Sequence, residues 1–266
     1  MSIGARIGSR VGSSVGPRIG TPPAADPLAA VYRDATSNWY LPTTIADYTA
    51  LLTSVGLTGA PFAIGLCQEA SGNLATVGGF TFTATGAGAT YQQSVAGFST
   101  KGITTADAGT IVFTNTDAGL PDISTESLAI LSFTRFNSAP GTFRDIHGMG
   151  TTTKQRAFVK SGPELQMFAG ATGTTLSGVD PTGAVRPIIN QHDITNLVER
   201  LITNQEALAT VYDATPTGKS VELFGGANAS SDATHIRFYL FRGVAAEKSV
   251  AQWKTLMTAH GATVTF

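Results

Sequence analysis

Residues able to do chemistry are few in this chain and widely spaced. A glycosidase needs two carboxylates facing each other across a sugar, and on a strand such a pair shows as acids two positions apart on one face. None of the seven glutamates, Glu69, Glu126, Glu164, Glu199, Glu206, Glu222 and Glu247, has an acidic residue at the second position after it. His147, His192, His235 and His260 lack HxH or HExxH spacing, so a zinc site has no local signature. The pairs Gly78-Gly79 and Gly225-Gly226 do not open helices with phosphate-loop spacing, which removes the nucleotide loop. The residues therefore read as those of a non-enzyme with no resident cofactor. Calcium is the one ligand with local oxygens: TNTDAGLPD offers Asn115, Asp117 and Asp122 in one loop, and Asn228 with Asp232 offers oxygens in another, a donor set that suits a hard cation. Asx residues also build turns for purely conformational reasons. For a glycan, Trp39, Tyr40 and Tyr91 are the rings on which a sugar could stack, whereas Trp253 falls on an apolar helical stripe and reads as core.

The elements that would position these residues follow from composition and periodicity. Charged residues make up 13% of 266 and the formal net charge is −1, which argues against a chain that holds nucleic acid by bulk charge. The single cysteine, Cys67, sits in an apolar run and reads as a buried thiol. No charged-then-apolar leader opens the chain and no apolar run reaches the ~18 residues of a membrane span, so neither a signal peptide nor a span is expected.

Residues 1–20, MSIGARIGSRVGSSVGPRIG, repeat a β-branched residue, glycine and Arg or Ser with a period of four. Such spacing disfavours a helix and predicts an extended arm. Ile3, Ile7, Val11, Val15 and Ile19 lie on one face of it, and Arg6, Arg10 and Arg18 on the other. An arm of this kind cannot bury itself, so contact with other subunits of an assembly, and a homo-oligomer, are expected. Residues 21–27 form a proline-rich linker. Residues 28–60 form a small unit in which Trp39, Tyr40 and Leu41 precede a helix capped by Thr44 and stopped by Gly56.

Residues 61–266 read as short strands broken by Gly, Asn, Asp and Pro. Candidates are 62–68, 79–85, 101–103, 109–113, 127–137, 142–148, 156–160, 164–169, 207–213 and 220–224. Asp193–Asn204 carries helix-like spacing at Ile194, Leu197, Val198, Leu201 and Ile202, and reads as a short helix or an edge strand. The stretch from His235 closes the chain. Alternation puts Ile236, Phe238 and Leu240 on one face of a central strand with Tyr239 and Phe241 on the other, and a helix follows from about Ala245 to Gly261.

LCQEASGNLATVGG, SLAILSFTRF, ALATVYDATPTGKSVELFGG and HIRFYLFRGVAAEKSVAQWKTLM, in that order over roughly residues 62–259, resemble laminin-G-like, concanavalin-A-like jelly rolls. The chain departs from that pattern at Ala75, Thr76 and Val77, where many relatives carry an aspartate, and at Phe133 or Phe136, where a tryptophan is often found. The resemblance implies an all-β, antiparallel β-sandwich, to which the sequence adds an extended arm and a few short helices. An arm and small helix joined to such a domain also resemble virion or phage structural proteins. The expectation is thus a non-enzymatic display protein anchored in a virion or other extracellular assembly by its arm. The alternative is a lectin-like module that binds a surface carbohydrate.

Overall fold

The computed structural model describes residues 39–160, 164–169, 172–176 and 182–266. The arm, the linker and residues 28–38 of the small unit lie outside the described residues. Among the described residues there are sixteen strands, two α-helices and one 3-10 helix. No helix among them is long and apolar enough to cross a membrane.

The strands follow one antiparallel path that folds into two facing walls. The first wall runs β1 (Ala63–Gly65), β16 (Ala233–Arg242), β7 (Leu128–Phe136), β12 (Val185–Asp193), β13 (Val198–Thr203) and β14 (Ala207–Val211). The hairpin of β4 (Ala89–Ser94) and β5 (Lys101–Thr105) joins β16 beside β1. The second wall runs β3 (Thr81–Thr85), β6 (Val112–Asn115), β15 (Val221–Leu223), β8 (Arg144–Met149), β9 (Gln155–Lys160), β10 (Glu164–Ala169) and β11 (Thr172–Leu176). β2 (Leu74–Val77) links the walls at one edge by pairing with β1 and β3, and at the other edge β11 lies against β14. The result is an antiparallel sheet nearly closed into a barrel.

Side-chain alternation along these strands fills the space between the walls. Ile130, Phe238 and Leu240 of the first wall meet Phe82, Phe113 and Leu223 of the second. Farther along, Phe136, Ile188 and Leu201 meet Ile146, Val159 and Met167. The outer face of the first wall is apolar too, with Leu131, Phe133, Ile189, Tyr239 and Phe241. Helices α1 (Ile45–Ser54) and α2 (Val250–Ala259) cover it through Tyr48, Leu51 and Leu52 and through Trp253, Leu256 and Met257.

Both helices start where a cap satisfies their first N–H groups. Thr44 Oγ1 accepts from the Asp47 N–H at 3.1 Å, as expected, and Gly56 ends α1 at φ +69°. The second helix begins later than expected. Gly243–Ala246 is a 3-10 turn, and Ser249 with Gln252 forms a capping box that sets the start at Val250.

One open expectation resolves to its strand alternative, inside the sheet rather than at its edge, and one needs correction. Asp193–Asn204 is a tight turn followed by β13: Leu201 points between the walls and Ile202 points to the helices. Its helix-like spacing arises because adjacent apolar residues serve opposite faces of a strand buried on both sides. In β16 a bulge at Ile236 shifts the register between His235 and Arg237, so Ile236 joins Tyr239 and Phe241 beneath the helices rather than Phe238 and Leu240.

Candidate functional site

Among the described residues no helix covers the outer face of the second wall, and its residues follow from strand parity. In β9, Ala157 and Val159 point inward, so Arg156 and Phe158 point out. In β10, Leu165 and Met167 point inward, so Gln166 and Phe168 point out, with Phe168 opposite Arg156 in the ladder. In β15, Val221 and Leu223 point inward and Glu222 points out. β8 breaks the alternation: Asp145 pairs with Phe158, His147 pairs with Ala157, and Ile146 is the extra residue of a bulge. Ile146 is packed between the walls, and Asp145 is thereby left on the outer face with Arg156.

A groove of about 380 Å³ opens on this face, floored and flanked by Phe143, Phe158, Phe168, Lys154, Arg156 and Asn228. The three phenylalanines meet edge to face, with ring centroids 5.3 Å apart for Phe158–Phe168, 6.2 Å for Phe143–Phe158 and 6.4 Å for Phe143–Phe168. Each such pair contributes roughly 0.5–1.5 kcal/mol beyond its buried area, so the rings form a stiff platform. Phe143 is nonetheless 41% exposed.

Charges beside the platform are held by one another. Arg156 Nη1 donates to Asp145 Oδ2 at 2.8 Å, its Nη2 stands 3.7 Å from Glu222 Oε2, and Lys154 Nζ is paired with Glu222 Oε1. The Asn228 backbone N–H donates to Asp145 Oδ2 at 2.8 Å and its amide to Oδ1 at 3.3 Å. Asp145 is 1% exposed, and burial pushes its carboxyl above the ordinary value against the opposing pull of Asn228 and Arg156. Gly226 permits this closeness. A Cβ there would stand 2.4 Å from Asp145 Oδ2 and 2.8 Å from Arg156 Nη1, so any side chain would part the pair.

Rings expected to stack on a sugar lie elsewhere and apart. Trp39 packs edge-on against Phe133 at 5.3 Å in the layer beneath the helices, and the Tyr40 N–H donates to the His260 carbonyl at 2.8 Å. Tyr91 packs against the core between the walls, and its hydroxyl donates to the Gly72 carbonyl at 2.6 Å. Trp253 is buried, as expected. The oxygens considered for calcium serve backbone turns: Asn115 Oδ1 accepts from the Asp117 N–H at 2.7 Å, Asp117 Oδ1 from Gly119 at 2.7 Å, and Asp122 Oδ1 from Ser124 and Gly218 at 3.0 Å each. Asp232 accepts from Asn137 and Ser138. Among the described residues no three His, Cys, Asp or Glu side chains cluster as a metal site.

A buried dyad is the other titratable feature. His192 Nδ1 bonds Glu199 Oε1 at 2.9 Å and Nε2 bonds the Ile123 carbonyl at 2.8 Å, so both ring nitrogens are committed. The pair is fully buried and reads as structural.

No family model matches the chain, and no curated protein matches it by sequence. Its shape belongs to a wider class of antiparallel β proteins with solved structures. Trypanosoma rangeli sialidase in complex with sialic acid is similar with a TM-score of 0.56 and 10% identity, over 77% of this chain and 33% of that one. The same enzyme with 2,3-difluorosialic acid as a covalent intermediate gives 0.57 at 10% identity, over 80% and 36%. The receptor binding domain of botulinum neurotoxin C/D mosaic serotype gives 0.51 at 11% identity, over 76% and 51%. This chain thus spans about a third of the sialidase chains and half of the neurotoxin domain.

At such identities the likeness is one of fold. It overturns the expectation of a non-enzymatic virion display protein: the fold is shared with enzymes, so it gives no ground for excluding one, and nothing in it points to a virion.

Proposed function

We propose that the chain is a carbohydrate-binding module, a lectin-like domain built as a concanavalin-A-like jelly-roll sandwich, and that the groove on the second wall is its glycan site. One observation carries the reading: the exposed Phe143 ring, backed by Phe158 and Phe168, stands beside an ordered set of Arg, Asn, Glu and Lys groups on an outer face that no helix among the described residues covers. The apolar face of a pyranose fits an aromatic ring, and its hydroxyls both donate and accept, which suits a surface where guanidinium donors and carboxylate acceptors alternate. A surface glycan is accordingly the proposed partner.

The test is an NMR titration of the chain against a panel of mono- and oligosaccharides at millimolar concentration, with calcium and with a chelator, while free sugar release is followed in parallel. Saturable shifts confined to groove residues are expected, and Phe143→Ala should weaken binding by about tenfold, the order of one ring contact. Absence of any saturable shift across the panel would overturn the reading. Sugar release at the groove would extend it to an enzyme.

A further inference from the structure

Resting on the glycan-binding reading, we infer that the groove selects uncharged saccharides over carboxylated ones. The cations around the groove among the described residues each have a carboxylate. Arg156 has Asp145 and Glu222, Lys154 has Glu222, Arg144 has Asp107 at 2.8 Å, and Lys160 has Glu164 at 2.7 Å. Four cations face four carboxylates, so the groove presents no net positive field to draw an anion.

Geometry makes the same choice. For a sugar carboxylate to take the strong side of Arg156 it would have to replace Asp145, which is 1% exposed and pinned on its second flank by two bonds from Asn228. Left in place, Asp145 and Glu222 would stand beside the incoming anion and repel it. A hydroxyl meets no such conflict. A neutral sugar brings O–H donors, whereas an ionised carboxylate brings acceptors only.

The sialidases of similar fold act as a contrast, since one is described with sialic acid bound.

The experiment measures binding by calorimetry for matched pairs that differ by one acidic group, lactose against sialyllactose and hexose against hexuronic-acid disaccharides. The neutral member should bind about tenfold more tightly, the scale of one unscreened like-charge contact, with little dependence on salt. Glu222→Gln, which leaves one cation unmatched, should move the ratio several-fold toward the acidic member, and Lys154→Met should move it the other way. Thermal melts of both variants check that they are folded. Equal or tighter binding of the acidic member by the unaltered chain overturns the selectivity while leaving the glycan site standing. If neither member of any pair binds, the glycan reading itself fails and the selectivity falls with it.

Discussion

The two walls are made alike and finished differently. Both alternate apolar residues into a shared interior, yet the outer face of the first wall lies under α1 and α2 and that of the second meets water around Phe143. Under the helices, polar atoms are drawn into bonds that lock the cover down. Trp253 Nε1 donates to Gln191 Oε1 at 3.1 Å, Gln191 Nε2 donates to the Ala246 carbonyl at 2.6 Å, and Lys248 lies 4.7 Å from the centre of the Phe241 ring. On the open face the charges pair with one another and hold a shape that no described residue fills. Aromatic residues therefore do two jobs here. Where a helix reaches them they stabilise the fold, and where none does they form a surface.

Acid should act on the sealed parts first. Burial pushes His147 down to about 3 and His260 down to about 4, and burial, with His147 nearby, holds His235 well below its ordinary value. Their folded values lie below the unfolded 6.5, so the unfolded chain takes up protons first and stability, complete above pH 6.5, is lost as pH falls toward 4. Three such groups give a slope of about 4 kcal/mol per pH unit. Urea titrations from pH 7 to 4 measure it, and a slope below that of one proton would contradict it. Neither nitrogen of His147 has a partner, so His147→Leu should remove about a third of the slope without breaking a hydrogen bond.

Removing the cover's largest side chain comes next. Trp253→Ala should cost about 3–5 kcal/mol in denaturant unfolding, because the side chain is fully buried and the Gln191 acceptor loses its donor. Lys248 gives a smaller and opposite response. Burial pushes its ammonium down to about 8 from 10.5. The unfolded chain then keeps the proton longer, and stability should rise from pH 8 upward by as much as ~1.4 kcal/mol per unit. The window closes near pH 10, where the buried hydroxyls of Tyr48 and Tyr239, raised above 10.0, act in the other direction. Lys248→Met should flatten the rise. Phe143→Ala, which removes two edge-to-face pairs from a partly exposed ring, should cost about 1–2 kcal/mol, less than Trp253→Ala, while weakening the groove. A cost as large as that of Trp253→Ala would erase the distinction between the walls.

Much of the scaffold was legible in the sequence. The strands expected at 127–137, 156–160 and 164–169 form within two residues of those bounds, because alternation and length agree there. β12 was hidden, and β13 left open between helix and strand, because apolar residues serve both faces of each and blur the alternation. The site was half visible. Arg156 with Phe158 and Gln166 with Phe168 occupy one parity of two adjacent strands, a signal open to inspection. Which outer face the helices cover, and that Asn228 folds back onto Asp145 from 83 residues away, follow only from tertiary packing.

The bulge at Ile146 adds a side chain to the interior without turning the outer carboxylate. With one residue fewer between Asp145 and His147, the ladder would be regular and the two would keep their places opposite Phe158 and Ala157, with only the inward Ile146 lost. Among descendants of this chain, a single-codon deletion at this point would be expected to spare the groove and leave a void between the walls.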